Sequence, residues 1–446
     1  MAERAGTGRR GLIPDLPRQA WIILGGDALS AVGNGLVLPF FIIYLNRVRG
    51  LDIDTAAYAL ATTALVGFVV GPIGGWMSDR FGARRIVILS LVISALGSIS
   101  IALVRETWHA FAAAGFFGSG ITLFWPSVHA LVTTIVAKHQ RSAVFSVHYA
   151  AINLGIGIGG LLGGFMVDTA DASTFELVYY LDALTFVPFI FMLVFFVRNV
   201  GGAVRPDTVR SDAEPTGIVA PSYLSVLRDK RFLRVLMLMT LLVTIGYGQL
   251  EASFPAFATR PGGISTRALG ATFAANTFFI VVAQLLVLRW LDGRRRTRAI
   301  VVLALLWAAC WGTVLFGGTL GSGMDATVVF AFAAVLFAFG ETIVSPTLSP
   351  MVQDLATDQT RGRYSAVFSM TWMVGSVIGP AIAGFFLDID KPGALFTLLI
   401  AACIGAGWMA YNLEKHIPDD ANLVRLADEE ETELTAPEAA GVEVVG

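Results

Sequence analysis

Three carboxylates stand inside long apolar runs of this chain: Asp27 in Gly25-Gly26-Asp27, Glu251 in Gly248-Gln249-Leu250-Glu251, and Glu341 directly after Gly340. A charged residue at the centre of a membrane helix costs about 2.5–3.5 kcal/mol, so such groups are rare and each is a functional candidate. A lone carboxylate in an apolar run can take up and release a proton, or hold a cationic ligand. Glu341 has no basic residue within one helical turn in sequence. Glu251 lies beside Gln249, and Asp27 lies near the start of its run, where the alternative is an interfacial residue bonded to backbone or to a nearby arginine. Asn34 and Gln249, with Asn153, Asn276 and Gln284, can donate and accept without a charge, which suits ligand binding or contacts between helices. Asp182 reads as a helix-terminal carboxylate near the interface, and His129 and His148 as neutral hydrogen-bonded fillers. Trp125 and Trp372 can line an apolar cavity or face lipid.

The elements that carry these residues are apolar stretches long enough to cross a bilayer, about 20 residues each. Twelve are expected, over 19–46, 56–78, 84–104, 107–135, 142–167, 176–197, 232–258, 267–290, 298–320, 326–352, 363–387 and 393–413. Hydrophobic residues make up 55% of the chain and charged ones 14%, with a mean hydropathy of +0.71. A soluble domain carries about 25% charged residues, so much of this apolar surface faces lipid. The expected organisation is all-α. It comprises a tail over 1–18, a six-helix bundle over 19–197, a polar linker over 198–231, a second six-helix bundle over 232–413, and an acidic, solvated tail over 414–446. Cys310 and Cys403 fall inside apolar stretches and are expected to pack as small hydrophobes.

The two halves repeat. Pro126 and Pro346 differ by 220, as do Arg141 and Arg361, Gly155 and Gly375, Gly159 and Gly379, Gly164 and Gly384, and Asp168 and Asp388. Small residues four apart allow helices to approach closely, but packing alone does not require one spacing at a fixed offset. Parallel repeats of this kind place a ligand near the bilayer midplane, between two bundles that rock about it. The glycines Gly155, Gly159, Gly163 and Gly164, with Gly375, Gly379, Pro380 and Gly384, are expected to pack and hinge helices at the interface between the bundles.

Between the second and third runs lies a charged turn, Gly75-Trp-Met-Ser-Asp79-Arg80-Phe-Gly82-Ala-Arg84-Arg85. The pattern Gly-x-x-x-Asp-Arg-x-Gly-x-Arg resembles the signature loop of the major facilitator superfamily, with Ala83 where the family usually has a basic residue. Gly155-x-x-x-Gly159 with Gly163-Gly164 is similar to the fifth helix of the family's drug/proton antiporters. Gly160 stands where those have a proline, which survives in the second copy as Pro380. Ala112-Ala-Ala-Gly115 lacks the arginine that proton-coupled exporters often carry in span 4. The resemblance implies two six-helix bundles, alternating access, and a gate in which Asp79 pairs with Arg80, Arg84 or Arg85 and with the start of span 11 near Gly362.

Orientation follows from basic residues. Only Arg47, Arg49, Arg105, Arg260, Arg267 and Lys391 of the 31 Lys and Arg fall on the side away from the tails and linker. The positive-inside rule therefore puts both tails and the linker in the cytoplasm. No metal-ligand cluster, phosphate-cradling loop or catalytic triad order appears, which argues against an ATP-driven pump and against an enzyme. The expectation is a monomeric exporter of the bacterial plasma (inner) membrane. It would move small amphipathic compounds in exchange for protons, with no cofactor or metal and no nucleic-acid partner. The alternatives are an importer or uniporter of a small metabolite, and a non-transporting membrane sensor or scaffold.

Overall fold

The structure, a computed structural model, describes residues 14–168, 170–198 and 223–426. Among the described residues twelve helices are long and apolar enough to cross a membrane: α1 (Arg18–Val48), α2 (Thr55–Phe81), α3 (Ala83–Ala102), α4 (Thr107–Thr133), α5 (Lys138–Met166), α6 (Ala172–Phe195), α7 (Lys230–Thr259), α8 (Ala268–Leu291), α9 (Arg296–Gly317), α10 (Met324–Leu355), α11 (Arg361–Asp388) and α12 (Pro392–Leu413). Among the described residues there is no strand, only two isolated bridges. Residues 1–13 of the first tail, 199–222 of the linker and the acidic run Asp428–Glu431 lie outside the described residues.

The helices start and stop close to where the apolar runs do. One difference with a consequence is α10, which continues past the expected end at 352 to Leu355. Its extra turn carries Asp354, whose charge is met by arginines from two other helices. Both α1 and α7 are irregular. In α1 the backbone tightens at Leu38–Phe40, where Pro39 has no N–H to give, and widens at Tyr44–Val48. In α7 it widens at Val243–Tyr247 and breaks at Ala252.

Packing repeats with the sequence. In the first half α1 packs on α5 and α6, α2 on α4, and α3 on α4 and α6. The second half has the same set six helices on: α7 with α11 and α12, α8 with α10, and α9 with α10 and α12. The halves meet through α2 with α11, α4 with α11, and α5 with α8 and α10. Each bundle has its own aromatic core, such as Trp307 stacked on Phe337 (centroids 4.6 Å apart) in the second. Cys310 and Cys403 are free and buried there.

The repeated glycines pack inside the bundles and not between them. A Cβ on Gly155 would lie 2.6 Å from Ala28 O, and one on Gly159 2.9 Å from both Gly35 Cα and Leu36 N, all in α1. Gly163 likewise meets Leu36 O at 2.8 Å. In the second copy Gly379 meets Gly248 Cα at 2.8 Å, Gly375 meets Thr244 N at 3.0 Å, and Pro380 lies over Gly248, all in α7. Gly164 and Gly384 have open space around them. The spacing reports close approach but does not say to which helix. Gly159→Leu drives a side chain into backbone that cannot yield, at a cost of about 1–3 kcal/mol or more. It is therefore expected to lower the melting temperature and the monodisperse yield in detergent, whereas Gly164→Leu leaves both unchanged. Thermal-shift chromatography of the two variants checks this.

Candidate functional site

The face carrying the linker is closed by charges seated between the bundles. At Gly82 the chain reverses with φ 92° and ψ 133°, a conformation that favours glycine, so α2 ends and α3 begins within one residue. The last turn of α2 then points Asp79 at the N-terminus of α11. Its Oδ1 accepts from Gly362 N at 2.6 Å, and its Oδ2 from Arg363 N at 3.2 Å and Arg363 Nη1 at 3.0 Å. These N–H groups have no partner within their own helix, and the helix dipole favours an anion there.

The expected partner at Gly362 is present, but Arg80, Arg84 and Arg85 are turned elsewhere. Arg80 stacks over Trp76. Arg84 donates to the Leu193 and Val194 carbonyls in the last turn of α6, at 2.9 and 3.1 Å. Arg85 is exposed. Gly75, one turn before Asp79, lets α11 come close, since a Cβ there would lie 2.7 Å from Gly362 O. Beside it the Tyr223 hydroxyl donates to the Pro72 carbonyl, and burial pushes that hydroxyl up to about 12, so it stays protonated.

A second closure was not foreseen. The Asp354 side chain is fully buried and sits between Arg141 of α5, bonded to its Oδ1, and Arg296 of α9, 2.6 Å from its Oδ2. Arg296 also reaches Ser142 Oγ of α5 at 3.2 Å. Nearby, Thr133 Oγ1 donates to Gln353 Oε1 at 3.2 Å, and Ser345 Oγ to the Phe145 carbonyl at 2.8 Å. Both contacts join α4 or α5 to α10. The signal in the sequence is that Arg141 and Arg361 lie in the first turns of α5 and α11 at the 220-residue offset, and an arginine buried at such a position, as Arg141 is, needs a counter-ion.

Above these closures lies a cavity of about 470 Å³ between the bundles. Trp125, His129, Ile152 and Ile156 line it from the first half, and Tyr247, Val344, Phe368, Trp372 and Met373 from the second. It adjoins a second cavity of about 730 Å³, with which it shares Ile121, Thr122, Trp372 and Met373. The second cavity runs between α2, α4 and α11 to Tyr58 and Phe111, near the ends of α2 and α4 farthest from the linker. The central cavity is therefore shut toward the linker and widens toward the opposite face.

Two polar pairs reach the central cavity. Tyr149 of α5 donates its hydroxyl to Glu341 Oε1 of α10, so the buried carboxylate is tied to the opposite bundle. Asp27 of α1 is buried against His148 of α5, whose ring lines the cavity beside His129, with ring centroids 5.8 Å apart. Among the described residues the partner of Asp27 is thus a histidine and not an arginine. A histidine nearly two turns into an apolar run carries no sequence mark of the helix it will meet.

The remaining candidates are not gathered there. Glu251 is exposed at the break in α7 and outside both linings. Gln249 is fully buried and donates to the Gly379 carbonyl at 2.8 Å, pinning α7 to α11. Asn34 is half-buried and outside both linings. Asn276 and Gln284 donate from α8 to carbonyls of α10, while Asn153 lines the cavity. Asp182 is buried against Gly33 instead of lying at the interface. The reason is that α6 starts at Ala172, four residues before the expected 176, which places Asp182 nearly three turns inside it.

Comparison with known proteins agrees with this architecture. The chain matches the Major Facilitator Superfamily profile over residues 23–380 and again over 263–436. It is 27% identical to Multidrug resistance protein MdtH of Klebsiella pneumoniae, with 83% of this chain and 87% of that protein covered. It is 22% identical to a Na(+), Li(+), K(+)/H(+) antiporter of Planococcus maritimus, with 82% and 89% covered. Its fold is similar to that of a bacterial homologue of the iron transporter ferroportin in an outward-facing state, at a TM-score of 0.72 and 15% identity over 90% of this chain and all of that one. Twelve spanning helices in two repeated sets, the Asp79 turn docked on α11 and a central cavity between the halves thus have one reading: the chain is a multi-pass membrane transporter that belongs to the Major Facilitator Superfamily.

Proposed function

We propose that the protein exports small amphipathic or apolar compounds by alternating access, in exchange for protons. On this reading it is a monomer in a bacterial plasma membrane, with the linker face in the cytoplasm and the cavity drawn in its outward-facing form. The observation that carries the reading is the cavity itself: aromatic and aliphatic walls around one buried carboxylate, Glu341, held by a hydroxyl of the other bundle. Such walls suit an apolar body, and the carboxylate is a group whose charge a proton can switch. Because Tyr149 and Glu341 sit on bundles that separate, the protonation state of Glu341 bears on whether they part. The multidrug resistance and the cation/proton antiport named for the two bacterial relatives support the direction and the coupling.

The test is flux in proteoliposomes under an imposed pH gradient, with lipophilic cations, neutral drugs and sugars as cargo. Uphill movement of the first two classes and none of the sugars is expected. Equal flux with and without the gradient would instead mark a uniporter, and no flux of any compound a sensor or scaffold.

The gate makes a separate expectation. Asp79 does not line the cavity, so Asp79→Asn is expected to leave cargo Kd within about twofold while slowing turnover about tenfold or more. The amide still accepts from Gly362 N but leaves Arg363 without its counter-ion. Binding titrations beside transport rates check the split, and an unchanged rate would count against the gate.

A further inference from the structure

The segment after α12 was expected to be solvated, yet its described part, Glu414 to Leu426, is docked on the linker face. Ile417, Ala421 and Val424 are buried, and a short helix, Asp419–Asn422, lies across the start of α9. That start lacks a cap of its own, because Arg295 in the capping position offers no acceptor. Asn422, fully buried, supplies it: Oδ1 accepts from Thr297 N at 3.0 Å, and Nδ2 donates to Thr297 Oγ1 at 3.1 Å. The Ala421 carbonyl accepts from Arg296 Nη1 at 2.7 Å, on the nitrogen that also holds Asp354. The segment touches the other bundle as well. Asp420 pairs with Lys138 at the start of α5 at 2.6 Å, and the ammonium holds its carboxyl below the usual carboxylate range. Leu426 packs against the apolar cores of both bundles.

We propose that residues 414–426 form a strap that positions Arg296 for Asp354 and ties the two bundles together, so that it sets how much of the protein is closed on the linker face. Asn422 and Asp420 are positioning residues. Neither lines the cavity, and neither contacts cargo. Opening the linker face separates Lys138 from Asp420 and withdraws α5 from Arg296, so the strap opposes that step and releases with it.

The test uses the full chain with spin labels on cysteines at Ala137 and Gln359, both exposed and on opposite bundles of the linker face, in a background without Cys310 and Cys403. Pulsed EPR reads the short and long separations as closed and open populations. Lys138→Glu places two like charges together on an exposed surface where no packing depends on them, and is expected to raise the open-to-closed ratio about two- to fivefold. Adding Asp420→Lys restores the pair with reversed sign and is expected to return the ratio to its starting value. Asn422→Ala is expected to raise the ratio too, and Asn422→Asp, which keeps the acceptor for Thr297 N, to preserve it. Asp354→Asn serves as the reference for a broken closure. If it opens the face while Lys138→Glu and Asn422→Ala leave the ratio unmoved, the strap proposal is overturned and alternating access stands. If no variant yields long separations, the strap proposal falls together with the opening of this face.

Discussion

Glu341→Gln is expected to reduce pH-driven accumulation to background while leaving cargo-for-cargo exchange largely intact. The amide oxygen can still accept from the Tyr149 hydroxyl, so the cross-bundle contact and the cavity shape survive, but the group can no longer gain or lose a proton. A carrier locked in the protonated form can shuttle loaded in both directions and cannot harvest a gradient. Counterflow and uphill uptake, measured on one proteoliposome preparation, separate the two activities. Selective weakening of cationic cargo, with neutral compounds unaffected, would reassign Glu341 to cargo binding. Full pH-dependent accumulation of every cargo would remove both roles and leave it a hydrogen-bond partner between bundles.

The second large effect is expected at Asp354. Asp354→Asn leaves Arg141 and Arg296 facing one another in a buried site without their counter-ion. Removing one partner from a buried charge network costs about 3–5 kcal/mol. That cost falls on the closed form, because opening the linker face lets water reach Arg141. A preference of 99:1 is about 2.7 kcal/mol, so the change carries such a preference to parity or beyond. The variant is expected to rest open on the linker face and to turn over at least tenfold more slowly. Pulsed EPR across that face and initial transport rates check it, and a closed resting state with wild-type turnover would contradict it.

Much of this molecule can be read before it folds. The twelve spans follow from lengths of apolar sequence, because hydrocarbon thickness leaves little choice of helix length. The duplication is visible by subtraction, and the first turns of α5 and α11 carry Arg141 and Arg361, residues 220 apart. Asp79 and its α11 partner are legible through the likeness of the Gly75–Arg85 turn to a known signature loop, and the contact with Gly362 is present while Arg80 and Arg84 turn to other partners. What escapes reading is the choice of partner across helices. Gly159 and Gly379 announce a close approach, and only the fold shows that it is to α1 and α7 within each bundle. Asp27 finds His148 and Glu341 finds Tyr149 through helix rotation, which apolar runs on all sides do not encode. Asp354 was hidden because the apolar run ends before the helix does. Residues 414–426 read as part of an acidic, solvated tail, since their docking depends on a few buried side chains such as Ile417 and Asn422 rather than on a periodic face.

The cap that Asn422 places on Thr297 joins residues 125 apart in sequence. A ribosome delivers α9 to the membrane well before it delivers residue 422, and at about 5–20 residues per second the wait is several seconds or more. During that interval the first amide groups of α9 lack this partner, and Arg296 lacks the Ala421 carbonyl. A chain stalled just after α12 therefore holds all its spans but not the finished linker-face closure. The linker-face seal is thus completed only after the twelfth span has been made, by a short stretch of chain that follows it.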